Sequence, residues 1–458
     1  MRTLLKGGSV VSGAGVKRAD VLMDGEKIVK VGRGIREDAD TVVDVEHCLL
    51  FPGFIDAHTH FDLDVCGTTT ADDFYTGSRA ALRGGTTTVI DFACPNKGES
   101  LHHGLELWHQ KADGRTFCDY GFHMTIDDWN ESVRAEIPDM FARGVSSFKM
   151  YMTYPAMMLG DRDLYWALKE LKHLGGICGV HCENAGVIDG MIAERKAAGE
   201  LSPASHPLTR PPLAEAEAVG RLLRIAQAAD CPVIIVHLTC KEALEEVERA
   251  RRRGQKVYVE TCPQYLLLDS SLYFNGDYSA AARYVCAPPL REKWEQHELW
   301  RALRHGEIQT VSTDHCSFTL AQKDAGREDF TKIPGGLPGV ETRGELIYSY
   351  GVATKRITEA QMCRALCENP ARLYGLFPRK GVLQAGSDAD IVVYDPGDSH
   401  VIRVEDCAAN VDYNPYEGFV TSGGIRQVWL RGGLAVEKGR VLDQAPRGLY
   451  MARGKCAL

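Results

Sequence analysis

An α/β chain built on a TIM-like (β/α)8 barrel, with a small β-sandwich assembled from both termini, is the architecture this sequence predicts. Three observations carry it. Eight short apolar runs alternate with helical patterns through the middle of the chain, the first fifty residues are short strands separated by glycines, and the same strand-rich texture returns after residue 380. Strands alternating with helices signal a parallel sheet with crossover helices, whereas short alternating runs between turn residues signal an antiparallel module.

Taken in order, strands are expected at residues 3–5, 10–11, 20–23, 27–31 and 41–45, punctuated by Gly7, Gly8, Gly13, Gly25 and Gly32. The barrel runs follow at 51–58, 87–92, 120–126, 145–151, 176–181, 233–237, 256–260 and 308–312. Apolar residues at helical spacing predict helices at 162–174, 214–229 and 241–253, with further helices at 343–354 and 359–373 packed around the barrel. Strand-like runs within 381–396 and 425–441 complete the small module. The expected division is 1–50 plus 380–445 for the β-sandwich, 51–379 for the catalytic barrel, and 446–458 for a C-terminal tail.

Composition narrows the function. A formal charge of −9 over 458 residues leaves no basic field for a phosphate backbone, so no nucleic-acid partner is expected. No run approaches the roughly 18 apolar residues of a membrane span, and residues 1–15 break into glycines after two leucines, without a signal-peptide core. Fifteen scattered cysteines with no C-x-x-C pair are expected to be reduced thiols in a cytoplasmic protein.

In such a barrel, catalytic side chains stand where strands end. The runs close in FIDAHTH, SSFKMY, GVHCEN, IIVHLT and TVSTDH, which singles out His58, His60, Lys149, His181, His237 and Asp314. His58 and His60 are two apart on a strand, so both imidazoles point to one face. Neutral imidazole and carboxylate are zinc ligands. Lys149 cannot ligate as an ammonium, but a desolvated lysine has a depressed pKa and reacts as a nucleophile. Its carbamate with CO₂ would supply the anionic bridge that two zinc ions about 3.5–4 Å apart require. By contrast His102, His103, His109, His173 and His305 fall on expected helices and read as ordinary structural histidines.

GFIDAHTH, SSFKMYMTY, VHCENAG, IVHLT, VETCPQYLLLD, APPLR, TDHCSF and GLPGVE together resemble the cyclic amidohydrolases of the dihydropyrimidinase/hydantoinase branch, over nearly the whole chain. The resemblance implies two zinc ions bridged by carboxylated Lys149 (N6-carboxylysine), with His58, His60 and Asp314 on one metal and His181 and His237 on the other. It implies that Asp314 is the catalytic base and acid, that Tyr154 stabilises the oxyanion, and that the assembly is a homotetramer. The substrate would be a small cyclic amide, a 5-substituted hydantoin or dihydropyrimidine, opened to an N-carbamoyl amino acid.

Three positions depart from the pattern. Ala287, after Cys286, stands where relatives often have serine or threonine, Gly335 where they often have asparagine, and Asp64 where many hydantoinases have proline. The substrate pocket is expected around Phe61, Leu63, Val65, Tyr151, Met157 and Met158, with backbone contacts at Cys286, Ala287 and Gly335. The alternatives are an allantoinase and a non-enzymatic dihydropyrimidinase-related interaction protein; the latter would have lost metal ligands, and here each position is kept. Dihydroorotase is disfavoured because Asp62 stands where that enzyme carries a carboxylate-binding arginine.

Overall fold

A computed structural model describes residues 1–442 and 445–457; residues 443 and 444 of the expected 380–445 module and residue 458 of the expected tail lie outside the described residues. Eight parallel strands pair in chain order: β1 (Phe54–Thr59), β2 (Thr86–Ala93), β3 (Asp119–Thr125), β4 (Ser147–Tyr151), β5 (Ile177–His181), β6 (Val233–Ile235), β7 (Val257–Thr261) and β8 (Thr310–Val311). Each is almost wholly buried, as strands covered on both faces must be. All eight expected runs are therefore barrel strands.

β8 meets β1 through side chains rather than a full ladder. The Arg343 guanidinium, fully buried, donates to Ile55 O (2.8 Å) and Val311 O (2.9 Å), and Thr313 Oγ1 donates to Asp56 (2.7 Å). A short parallel bridge between Thr59 and His315 completes the closure above them.

The first run divides in two. Leu49–Pro52 pairs in the terminal sheet and Phe54–Thr59 in the barrel, with Gly53 between them. A Cβ at Gly53 would lie 2.0 Å from Thr87 Oγ1, so only glycine lets the chain pass from one sheet to the other.

Helices Asp161–Leu174, Pro212–Ala229 and Lys241–Arg252 occupy the expected places outside the barrel. The two later helices are not continuous. Arg343–Ile347 runs into a π segment at Tyr348–Val352, and a second π segment, Arg364–Glu368, separates Glu359–Cys363 from Asn369–Leu373. Pro370 explains the second: it has no N–H for Leu366 O, and its ring would clash with that carbonyl. The inward residues Leu346, Ile347, Tyr348 and Val352 of the first are buried, as expected of a helix packed around the barrel. The exposed apolar side chains include Trp166, Leu213 and Trp294 on other helices.

The terminal strands form two sheets, Lys27–Gly32, Asp20–Asp24, Arg2–Lys6 and Thr41–Asp44 in one, and a seven-stranded sheet that includes Ile391–Asp395 and Gly424–Leu430 in the other. Gly15–Arg18 adds a hairpin strand that the sequence pattern does not announce. Leu5, Val21, Met23, Ile28, Leu50, Ile391, Val393 and Trp429 pack between the sheets. Lys380 ties this module to the barrel, bridging Asp119 of β3 (2.7 Å) and Asp388 (3.3 Å) and Asp390 of the module. Among the described residues, no helix is long and apolar enough to cross a membrane.

Candidate active site

The barrel brings the expected site residues to one mouth. His58 ends in β1 with His60 just beyond it, Lys149 lies in β4, His181 closes β5, His237 follows β6 by two residues and Asp314 follows β8 by three. His58 Nε2 and His60 Nε2 stand 3.1 and 3.2 Å from the same Asp314 oxygen. The His237 ring lies 4.5 Å from that of His181 and 5.5 Å from that of His58. Lys149 Nζ is 3.5 Å from His58 Nε2 and sits over the rings of Phe92 and Tyr151, at 5.0 and 5.1 Å.

The electrostatics follow from burial. Desolvation holds His60 down at about 4 and lowers His181 and His237, so these imidazoles are neutral and their lone pairs are available. Burial likewise lowers Lys149, outweighing Asp314 and Glu260, and among the described residues no carboxylate forms an ion pair with it. Burial alone would raise the Asp314 carboxyl, but His58, His60 and His237 outweigh it and hold it well below the usual range. Burial pushes the Tyr154 phenol up, so it stays protonated.

Tyr154, His237 and Asp314 all adopt left-handed backbone, with φ of 68°, 39° and 52°. Each such conformation costs a non-glycine residue on the order of 1–3 kcal/mol. Three of them in one mouth mark backbone bent to aim side chains.

These residues floor a cavity of about 1120 Å³. Leu63, Asp64, Val65, Tyr151, Met157, Cys286, Ala287 and Gly335 line it as expected. Phe61 does not: it is fully buried against Phe74 and His315, beneath the loop. Met158 is part-exposed and also lies off the cavity wall. Asp64 is at the rim, where its Oδ1 accepts from Thr69 Oγ1 (2.5 Å) and most of the side chain faces solvent.

Residues outside the expected set orient the imidazoles. Glu260 accepts from His58 Nδ1 (2.6 Å), which directs Nε2 at the cluster, and Glu183 accepts from His181 Nε2 (2.7 Å). Arg210 bridges to Glu183 and places its guanidinium over the Tyr154 ring at 5.5 Å. The signal for Glu260 and Glu183 is in the quoted runs, a carboxylate at or just beyond an apolar strand; Arg210 has no local signal.

Comparison with known proteins places this geometry. The model of the amidohydrolase family matches residues 49–435. The chain belongs to that family. Within it, this amidohydrolase is 42% identical to a D-hydantoinase of Geobacillus stearothermophilus, over 99% of this chain and 97% of the relative. It is 41% identical to a D-phenylhydantoinase of Escherichia coli, over 99% and 98%. The crystal structure of a dihydropyrimidinase from Brevibacillus agri superposes with a TM-score of 0.98 at 42% identity, covering the whole of both chains. The amidohydrolase is thus of the hydantoinase/dihydropyrimidinase branch, a cyclic amidohydrolase on the barrel expected from sequence. The family implies a metal centre, and the donors fit one: one nitrogen each of His58 and His60 and a carboxylate oxygen of Asp314 lie mutually within 4.8 Å, with further neutral imidazoles beside them.

Proposed function

We propose that this amidohydrolase opens 5-substituted hydantoins and dihydropyrimidines to N-carbamoyl amino acids. The observation that carries the reading is the meeting of four histidines, Asp314 and a desolvated Lys149 on the floor of a cavity whose wall includes the apolar side chains of Leu63, Val65, Met157 and Ile333. In this reading His58, His60 and Asp314 would hold one zinc ion and His181 and His237 a second, and Lys149 would be carboxylated to serve both. When bound, the metals supply Lewis acidity and lower the pKa of the attacking water.

The chain's own residues do the rest. Asp314, kept ionised, accepts a proton from the water as its oxygen bonds to the ring carbonyl carbon. The Tyr154 hydroxyl donates to the carbonyl oxygen as that atom gains charge. Asp314 then gives its proton to the ring nitrogen as the C–N bond breaks. Leu63, Val65, Met157 and Ile333 offer apolar surface to the ring substituent, with a flexible methionine to adapt to its shape.

The test is kcat/KM for phenylhydantoin, dihydrouracil, allantoin and dihydroorotate on one zinc-loaded preparation. Phenylhydantoin should lead and dihydrouracil be accepted, while allantoin falls behind because its ureido arm would stay unpaired against that wall. Allantoin leading by more than about tenfold, roughly 1.4 kcal/mol of transition-state binding, would make the chain an allantoinase instead.

The same reading takes residues 51–379 as the catalytic barrel and the terminal segments as its support. It places the protein in the cytoplasm, in keeping with fifteen free thiols, and makes it a homotetramer. Exposed Trp166, Leu213 and Trp294 are surfaces such an assembly would cover. Sedimentation should give four chains; a fully active monomer would refute that state.

A further inference from the structure

We propose that Lys323 is a positioning residue that clamps two backbone segments of the cavity wall, so that their peptide groups face a planar cyclic amide. The proposal rests on the cyclic-amide reading above. Lys323 ends the short helix Leu320–Lys323, nine residues beyond Asp314, and its side chain is 1% exposed. Its ammonium donates to Val285 O (2.7 Å), Pro334 O (2.7 Å) and Gly336 O (2.9 Å). An ammonium has three donors, and here each meets a backbone carbonyl; no carboxylate bridges it among the described residues.

The carbonyls belong to two segments, 285–287 and 334–336, that are far apart in sequence and share the cavity wall through Cys286, Ala287, Gly335 and Gly336. Gly336 N donates to Val285 O (3.0 Å), so the segments also hold each other. Their outward groups are secured elsewhere: Cys286 O accepts from His206 Nε2 (2.7 Å), and Leu337 O from Cys316 N (3.1 Å). Gly336 rests directly on Cys316, where a Cβ would come 2.3 Å from the carbonyl oxygen.

Two donors on these lining segments remain free. Among the described residues, the N–H groups of Ala287 and Gly335 make no intramolecular hydrogen bond. Space at Gly335 is open, its nearest neighbour being Ala287 N at 4.0 Å from the position of a Cβ. Lys323 also acts on one of these donors electronically. Pro334 O and Gly335 N belong to one peptide unit, so a cation on that oxygen polarises the N–H at the other end. Two such donors suit the carbonyl oxygens of a cyclic amide. Clamping it beforehand avoids an ordering cost when the ring enters.

The test compares Lys323→Met, similar in length but without donors, with the native enzyme on dihydrouracil and phenylhydantoin, with zinc content measured on both. The expected result is full zinc occupancy and a kcat/KM about 10- to 100-fold lower for both rings, chiefly through KM. A KM within twofold of native at full occupancy would overturn the proposal, as would kcat falling together with zinc while KM holds, the pattern of a merely structural residue. Should the variant not fold, amide exchange of the native protein decides. The Gly336 amide, bonded to Val285 O across the two segments, should exchange slowly before any dihydrouracil is added, while the free amides of Ala287 and Gly335 exchange fast; fast exchange at Gly336 that slows only with dihydrouracil would overturn the clamp. A native enzyme that opens none of the rings tells against the cyclic-amide reading, and the same exchange measurement then judges Lys323 separately.

Discussion

Lys149 is the residue whose chemistry is most unusual for its type, since it is a fully buried amine beside an imidazole and two aromatic rings, and burial outweighs the pull of Asp314 and Glu260 toward its charged form. Its neutral form is the one that adds CO₂, and the product would replace an unpaired amine with two oxygens. We therefore expect Lys149→Ala to lose most of its zinc and at least about a hundredfold in activity, with partial return in acetate or propionate, whose carboxylate can enter the space left. Elemental analysis and turnover with and without the acid check this; full zinc and normal turnover in the variant would exclude the bridge. The positions of the candidate ligands were legible because strand ends can be read as chain positions. The wall was less legible: Phe61 and Leu63 look equivalent in sequence, yet one turns under the loop and the other into the cavity. Whether a loop side chain faces in or out depends on local φ, and Asp62 between them, at φ 52°, reverses the direction.

Elements carried the strongest sequence signal where apolar runs were short and bounded, which is why all eight barrel strands sat in their expected places. Interruptions were invisible where they depend on packing, as at Tyr348–Val352, where Gly351 lies against Trp300 so closely that a Cβ would be 2.8 Å from the ring. Helix ends show the same division. Lys241–Arg252 begins at Cys240, which gives no side-chain cap, and the free N–H of Lys241 is taken instead by Glu295 of the neighbouring helix Lys293–His305 at 2.8 Å. Burial and the nearby Glu215 push the Glu295 carboxyl up to about 7. A carboxyl raised on folding keeps its proton in the native state while the unfolded chain releases it, so it lowers stability as pH rises from about 4.5 to 7. Glu295→Gln should remove that contribution. Urea midpoints at pH 5 and pH 8 should fall less with rising pH in the variant than in the native protein; equal slopes would mean that Glu295 is ionised throughout.

At the scale of the whole molecule, the barrel is closed at its lower end by the chain's own C-terminal segment, a use that nothing in the run 446–458 advertises. Tyr450 bridges to Tyr120, and Met451 N donates to Tyr120 O (2.7 Å). The Met451 side chain then joins Ile55, Ala57, Ile90, Ile177, Ile234 and Val236 beneath the strands. Arg453 follows, fully buried, donating to Ser147 Oγ (2.7 Å) and Phe122 O, while Ser146 Oγ donates to Gly454 O (2.6 Å). Ser147 Oγ also meets His123 Nδ1 at 2.6 Å, and His123 Nε2 meets Ala57 O at 3.0 Å, so the segment reaches residues one and two positions from the proposed ligands His58 and Lys149. Two effects should therefore separate in mutants. Met451→Ala leaves a cavity in an apolar floor and should cost about 2–5 kcal/mol of stability with kcat nearly unchanged. Arg453→Met strips donors from Ser147 Oγ and Phe122 O, leaves the latter carbonyl short of its partner, and should cost about 1–3 kcal/mol while also disturbing β3 and β4 behind Lys149. Denaturation midpoints and zinc affinity measured on both variants check this: the methionine change should move only the first, the arginine change both. An arginine variant with native zinc affinity would show that the segment seals the barrel without reaching its chemistry.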